Sequence, residues 1–132
     1  MLHVNYLAIV SATVAVFVFS AIYYVVLSGP RADLSGAPTA TSQAGFPAWM
    51  MVLELGRAFA VAAMVAVLVS LSGITDVPRA LALTLGLWVA FPVVLLVGSI
   101  VHESVPVGLA AIHAGDWLVK LLLIGLIVTI WK

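Results

Sequence analysis

Three ionisable side chains in the last apolar stretch of the chain have a spacing that suits ion pairing or proton exchange. His113, Asp116 and Lys120 are three and four residues apart, so an α-helix places them on one face. A carboxylate pairs with an ammonium group at this spacing, and an imidazole titrates near neutral pH. Glu54 and Arg57 form a second pair of opposite charges, three residues apart. These five residues are the candidate polar cluster.

A second set of side chains could bind a metal ion. His102 and Glu103, together with His113 and Asp116, offer two imidazoles and two carboxylates, ligands that suit zinc or another divalent cation if the fold gathers them. The second histidine of an HExxH helix is missing. No Ser-His-Asp order or glycine-rich phosphate loop is present either. An enzymatic role therefore has little support, and we expect no cofactor.

The composition places these groups in a membrane protein. Of the 132 residues 65% are hydrophobic and 8% are charged, whereas about a quarter of an ordinary soluble chain is charged. Five acidic and five basic residues leave no net charge, which gives no electrostatic reason to expect a nucleic-acid partner. The absence of cysteine excludes disulfide bonds and thiolate metal sites.

Four apolar segments have the length of about 20 residues that crossing a bilayer requires. They span residues 4–27, 47–72, 78–101 and 108–131, and each must be helical to satisfy its backbone in lipid. The sequence therefore predicts an all-α fold, a bundle of four transmembrane helices in a single domain, residues 1–132. The one longer polar loop, rich in Gly, Pro, Ser and Thr, covers residues 28–46.

Alternation of helix direction puts the whole polar cluster at one side of the bilayer. Glu54 and Arg57 lie about 10–13 Å into the second helix, and His113 to Lys120 lie about 8–18 Å into the fourth. We expect Lys120 to bind Asp116 and also the Trp88 carbonyl, which Pro92 deprives of its helical donor. Matching depth also allows Arg57 to reach Asp116.

Small residues at four-residue spacing predict close helix contacts. These pairs are Gly56/Ala60, Ala62/Ala66 and Ala111/Gly115. We interpret them as packing seams within the bundle. Tyrosine and tryptophan residues near the helix ends, including Tyr23 and Tyr24, are typical of interfacial anchors.

Orientation and assembly follow from weaker signals. The side that holds both termini carries Arg79 and Lys132, which favours cytoplasmic termini under the positive-inside rule. We expect a multi-pass protein of the cell membrane, in contact with the lipid bilayer. A bundle this small has limited room for a private solute pathway, so we also expect a homo-oligomer or a subunit of a membrane complex.

Several segments resemble a known family. The opening Asn5-Tyr6-Leu7-Ala8, the pair Tyr23-Tyr24 and above all residues 110–119 (AAIHAGDWLV) are similar to the family catalogued as domain of unknown function 1761. The resemblance covers nearly the whole chain and implies a small integral membrane protein with four helices. It implies no activity, but it marks the segment His113–Lys120 as the best place to look.

Three functional interpretations remain open from the sequence. In the first, Glu54, Arg57, Asp116 and Lys120 form a structural ion-pair network that fixes helix register. In the second, the polar cluster is a hydrated vestibule that binds a partner, small solute or ion, or carries it with protons through His113 and Asp116. The third is the metal site. We favour a non-enzymatic binding or assembly subunit. The alternative is proton- or ion-linked transport of a small solute through the polar cluster, and the metal site is the lesser alternative.

Overall fold

Four long helices account for nearly all of the described chain. The computed structural model describes residues 2–30 and 47–131. Within these ranges the helices are α1 (Tyr6–Val26), α2 (Ala48–Leu71), α3 (Val77–Glu103) and α4 (Val107–Ile130), and no strand is present. The predicted all-α fold of four helices is confirmed. Most of the predicted loop 28–46 lies outside the described residues.

Side-chain caps set the start of two helices. The Asn5 carboxamide accepts hydrogen bonds from the backbone N–H groups of Leu7 and Ala8, so α1 begins at Tyr6. The Asp76 carboxylate accepts from the Arg79 N–H, and Pro78 occupies the first turn of α3, where its missing N–H costs nothing. Both caps act at the same end of the bundle.

Hydrogen bonds between distant segments bring the two chain termini to one end. The Asn5 Nδ2 donates to the Trp131 carbonyl at 3.1 Å, and the His3 N–H donates to the Ser70 Oγ at 3.2 Å. We call this the terminal end, and the opposite end, where α2 and α4 begin, the loop end. All four helices are long and apolar enough to cross a membrane. The chain is therefore a multi-pass membrane protein whose exposed apolar side chains contact lipid.

Helix α4 lies at the centre of the bundle. It contacts α1, α2 and α3, whereas α2 and α3 barely touch each other, although a short connection joins them. The core between α1, α2 and α4 is built from aliphatic side chains such as Val16, Val65 and Ile124. Because α4 contacts all three other helices, polar side chains on its inner face are surrounded by protein instead of lipid.

Helix α3 is peripheral and irregular. It buries only Ala80 and Thr84 in its first half, and residues 89–93, which include Pro92, form a π-helical turn. Proline removes one helical hydrogen bond, and a π turn, with its wider i→i+5 pattern, absorbs such a defect. Helix α3 therefore continues past Pro92 through a π turn.

Candidate functional site

The buried carboxylate of Asp116 is the centre of the polar cluster. Its residue is 1% exposed and receives three partners. Ser20 donates its hydroxyl to Oδ1 at 2.6 Å, Tyr24 donates to Oδ2 at 3.2 Å, and the Lys120 Nζ lies 2.9 Å from Oδ2. A buried ionised group is tolerated only when it is paired and hydrogen-bonded. The arrangement meets that condition with one cation and two hydroxyl groups.

The geometry of two antiparallel helices explains why these side chains meet. Ser20 and Tyr24 are one turn apart on α1 and face α4, and Asp116 and Lys120 are one turn apart on α4. The predicted pairing of Asp116 with Lys120 is confirmed. The hydrogen bond from Ser20 on α1 to Asp116 was not predicted, because a single serine in an apolar helix gives no signal of what it will face.

His113 joins the same network through the hydroxyl of Tyr24. The Tyr24 Oη lies 2.9 Å from the His113 Nδ1 as well as 3.2 Å from Asp116. A phenol has one hydrogen to donate. When that hydrogen goes to the ionised Asp116, the Nδ1 must carry a hydrogen and donate it to Oη. The result is a continuous hydrogen-bonded path from His113 through Tyr24 to Asp116.

The neighbouring Tyr23 holds α1 against α4 by a different contact. Its hydroxyl donates to the Ile112 carbonyl at 2.7 Å. A Cβ at Gly115 would lie 2.8 Å from that hydroxyl oxygen, so this close approach needs glycine. Both tyrosines are part-buried and hydrogen-bonded to α4. The sequence predicted interfacial anchors at these positions but not these contacts between helices.

Lys120 is the deepest cation and lies between Asp116 and a cleft. Its side chain is 12% exposed, and its Nζ is 4.9 Å from the centroid of the Trp117 ring. A cation over a tryptophan face is attracted by the ring quadrupole. The ammonium is therefore held by one carboxylate and one aromatic face.

A narrow cleft joins Lys120 to the second ion pair. The cleft lies between α1, α2 and α4, and its volume of about 10 Å³ is room for about one water molecule. Glu54 and Arg57 line it from α2, Trp117 and Lys120 line it from α4, and apolar side chains such as Val61 close it. Arg57 and Glu54 form the predicted pair along α2, with side chains 52% and 40% exposed. We call this space the polar cleft.

Two expected contacts are not made. Arg57 pairs with Glu54 and forms no ion pair with Asp116, although both residues are described. No hydrogen bond joins Lys120 to the Trp88 carbonyl in the described structure. Instead the Trp88 indole Nε1 donates to the Ala114 carbonyl at 2.8 Å, which ties α3 to α4.

The four candidate metal ligands are not brought together. His102 and Glu103 are exposed in the last turn of α3, while His113 and Asp116 face α1. Within residues 2–30 and 47–131, no group of three or more His, Asp or Glu side chains is placed to hold a metal ion. The five residues of the polar cluster form two groups. His113, Asp116 and Lys120 belong to the network around the buried carboxylate. Glu54 and Arg57 form a half-exposed pair that lines the polar cleft with Lys120.

Comparison with known proteins identifies the family. No curated protein and no solved structure matches the chain. Residues 7–129 match the family described as "Protein of unknown function (DUF1761)", which spans all four helices and the whole polar cleft. The match confirms the resemblance carried by the tyrosine pair and by residues 110–119, and the chain belongs to the DUF1761 family.

Proposed function

We propose that this chain is a non-enzymatic membrane protein that binds a small polar or charged ligand in the polar cleft. The observation that carries the proposal is the placement of Lys120 and the Glu54–Arg57 pair on opposite walls of one cleft. Charged groups at membrane depth are costly and often mark binding sites or ion pathways. Ligand binding would explain why these charged groups are present despite that cost.

The two ion pairs have different parts in this proposal. Asp116 is fully bonded within the protein, so it fixes α1 against α4 and positions Lys120. Glu54 and Arg57 are half exposed, so they are free to change partners at the wall of the cleft. Binding at this site needs water to reach the cleft from the loop end.

Three alanines of α2 offer a matched test of that requirement. Ala58 lines the polar cleft, Ala60 is exposed on the outer face, and Ala62 is buried in the core. The chain has no cysteine, so each can be replaced singly by cysteine without a background. A membrane-impermeant thiol reagent reacts with thiolates, which form in water and are suppressed in lipid or an apolar core.

We expect Ala58→Cys in liposomes to react with the reagent, and Ala60→Cys and Ala62→Cys to remain unmodified. The two controls share the helix and the substitution and differ only in what surrounds the thiol. Equal protection of all three positions would remove the proposed site, because a dry cleft admits no polar ligand.

Proton-linked transport of a small solute is the second candidate. The supporting observation is the hydrogen-bonded path from His113 through Tyr24 to Asp116, which joins an imidazole, a group that can both accept and donate a proton, to a buried carboxylate. Under this candidate, Asp116→Ala abolishes proton uptake into liposomes while the protein stays folded. Loss of folding without a measurable flux in the unchanged protein would support the structural role alone.

We also propose that the protein resides in the cell membrane with both termini in the cytoplasm and assembles as a homo-oligomer or with another membrane subunit. Arg79 and Lys132, on the side that holds both termini, support the orientation. The outward faces of α3, with little of that helix buried, support an assembly.

A further inference from the structure

A second pocket lies at the terminal end, at the opposite end of the bundle from the polar cleft. Its volume is about 410 Å³, which falls within the range of about 300–1,000 Å³ that is usual for small-molecule sites. The start of α1, the end of α2, the α2–α3 connection and α4 form its walls, with Ala8, Ala66, Thr75 and Val128 as one residue from each. We call this space the terminal pocket.

The floor of the terminal pocket is aliphatic. Ala8, Ala66, Val69 and Val128 line it and are otherwise buried. Ala66 lies about 8 Å of helix below the end of α2, so the pocket reaches from the end of the bundle into its apolar part. Water at such a floor lacks polar partners. The floor therefore suits the apolar body of a ligand.

The upper walls of the pocket are polar but carry no formal charge. His3, Ser70 and Thr75 contribute an imidazole and two hydroxyl groups. Among the described residues that line the pocket, none is Asp, Glu, Lys or Arg. An ion that leaves water for such a site pays a large desolvation cost without gaining an opposite charge. The lining therefore favours a neutral ligand.

The polar groups of the pocket keep hydrogen-bonding capacity for a ligand. The Ser70 Oγ accepts from the His3 N–H at 3.2 Å and still has its own hydrogen to donate. Within residues 2–30 and 47–131, no protein group bonds to the His3 ring or to the Thr75 hydroxyl. A neutral imidazole and a hydroxyl each both donate and accept. A ligand hydroxyl, which also does both, matches them.

The wall formed by the end of α2 is fixed in place by backbone hydrogen bonds. The Ile74 N–H donates to the Val69 carbonyl at 3.1 Å, and the Gly73 N–H donates to the Ser70 carbonyl at 3.2 Å. With Gly73 at φ 64°, this is the Schellman ending of a helix. The bond from His3 to Ser70 attaches the start of the chain to the same wall. A wall already in place lowers the ordering cost of binding.

We propose that the terminal pocket binds a small neutral alcohol, with a compact apolar body and one hydroxyl group. The hydroxyl would bond to His3 and Ser70, and the body would lie against Ala66 and Val128. At about 30 Å³ for each water molecule, the pocket has room for about a dozen waters, or for an organic molecule of similar volume. This site goes beyond the proposed function and does not depend on the polar cleft.

The probe is para-trifluoromethylbenzyl alcohol, added to the protein in nanodiscs and followed by fluorine NMR. Two analogues share its ring and carry a charge: para-trifluoromethylbenzoate and para-trifluoromethylbenzylammonium. We expect a saturable bound signal for the alcohol above the level of protein-free nanodiscs, and at least about tenfold weaker binding of both charged analogues. No saturable signal, or equal affinity for the three compounds, would overturn the proposal.

A steric variant places the bound alcohol. Ala66→Leu extends a side chain into the floor of the pocket and should weaken binding at least about tenfold, without lowering the midpoint of thermal unfolding, because the added carbons enter open space. Ala60→Leu, on the exposed face of the same helix, is the matched control and should bind as the unchanged protein does. Equal affinities of the two variants would show that the alcohol binds elsewhere.

Polar variants test the hydroxyl contacts independently of that substitution. Ser70→Ala and His3→Ala should each weaken alcohol binding several-fold, since each removes a hydrogen-bonding partner. The matched controls are Ser72→Ala, at the exposed end of α2, and His102→Ala, at the loop end, and both should leave the affinity unchanged. If Ala66→Leu fails to fold, these pairs decide the outcome. Equal affinities within both pairs would overturn the site.

Discussion

At the residue scale, the network between α1 and α4 depends on how one buried carboxylate is neutralised. Asp116 and Lys120 lie in direct contact on one helical face, and Ser20 and Tyr24 complete the carboxylate's partners. Removing one member of a buried ion pair leaves the other charge uncompensated, whereas removing both often has little effect. The network should therefore respond to mutation as a unit.

The first prediction concerns this ion pair. Lys120→Met should lower the free energy of unfolding by about 3–5 kcal/mol, because Asp116 remains charged and buried. Adding Asp116→Asn should recover most of that loss. Chemical or thermal unfolding in detergent measures both. Additive losses in the double variant would mean that the two side chains do not act as a pair.

The second prediction separates the hydroxyl of Tyr24 from its ring. Tyr24→Phe keeps the ring but takes one donor from Asp116 and a partner from His113, so it should cost about 1–3 kcal/mol. Tyr6→Phe, at a residue that is 78% exposed, is the matched control and should be neutral in the same unfolding assay. Equal effects of the two substitutions would contradict the hydrogen-bonded path.

The sequence predicted contacts along a helix better than contacts between helices. The Glu54–Arg57 and Asp116–Lys120 pairs follow directly from spacing on one helix. Ser20 was missed, and the Trp88 carbonyl was assigned to Lys120, because the rotation and register of neighbouring helices are not encoded in any one segment.

At the element scale, close approach between α3 and α4 holds the peripheral helix in place. A Cβ at Gly125 would lie 2.8 Å from the Thr84 Cγ2. Thr84 cannot turn away easily, since it is fully buried and its hydroxyl donates to the Ala80 carbonyl at 3.1 Å. This seam and the Trp88 indole bond together tie α3 to the centre of the bundle.

The third prediction tests this seam. Gly125→Ala should destabilise the protein by about 1–3 kcal/mol, as overpacking does, and Thr84→Ala in the same chain should relieve most of it. Gly98→Ala is the control, because a Cβ there meets nothing within 4 Å. Unfolding in detergent gives the comparison. A neutral Gly125→Ala would show that the two helices are not in close contact.

The small-residue pairs were only partly informative about such seams. Ala62 and Ala66 are buried as predicted, and Gly115 is packed under Tyr23. Gly56 and Ala60 are exposed on the outer face, and Gly125, which is packed as closely as Gly115, was not in any predicted pair. Spacing finds helix faces where close contact is possible, but which face meets a neighbour is decided by the rest of the bundle.

At the scale of the whole molecule, composition and hydropathy were sufficient for the architecture. Four apolar segments predicted four helices, and the bounds differ by two residues at most. The central position of α4 was not predicted, because the lengths of the apolar segments do not say which helix all others contact. That position surrounds Asp116 and Lys120 with protein.

The fourth prediction concerns assembly. Because α3 packs mainly against α4 and leaves large apolar side chains exposed, we expect a homo-oligomer in the membrane. Native mass spectrometry from nanodiscs, at several protein-to-disc ratios, measures the number of copies. A single copy at every ratio would contradict this expectation, and the outward face of α3 would then contact lipid alone.

We propose that water reaches the charged side chains of the polar cleft from the loop end alone. The direct test is sided labelling of Ala58→Cys in oriented vesicles, with Thr75→Cys, in the exposed connection at the terminal end, as the reference. The account predicts that an impermeant reagent modifies Ala58→Cys only from the side that does not modify Thr75→Cys. Modification of both cysteines from the same side, or of Ala58→Cys from neither, would contradict it.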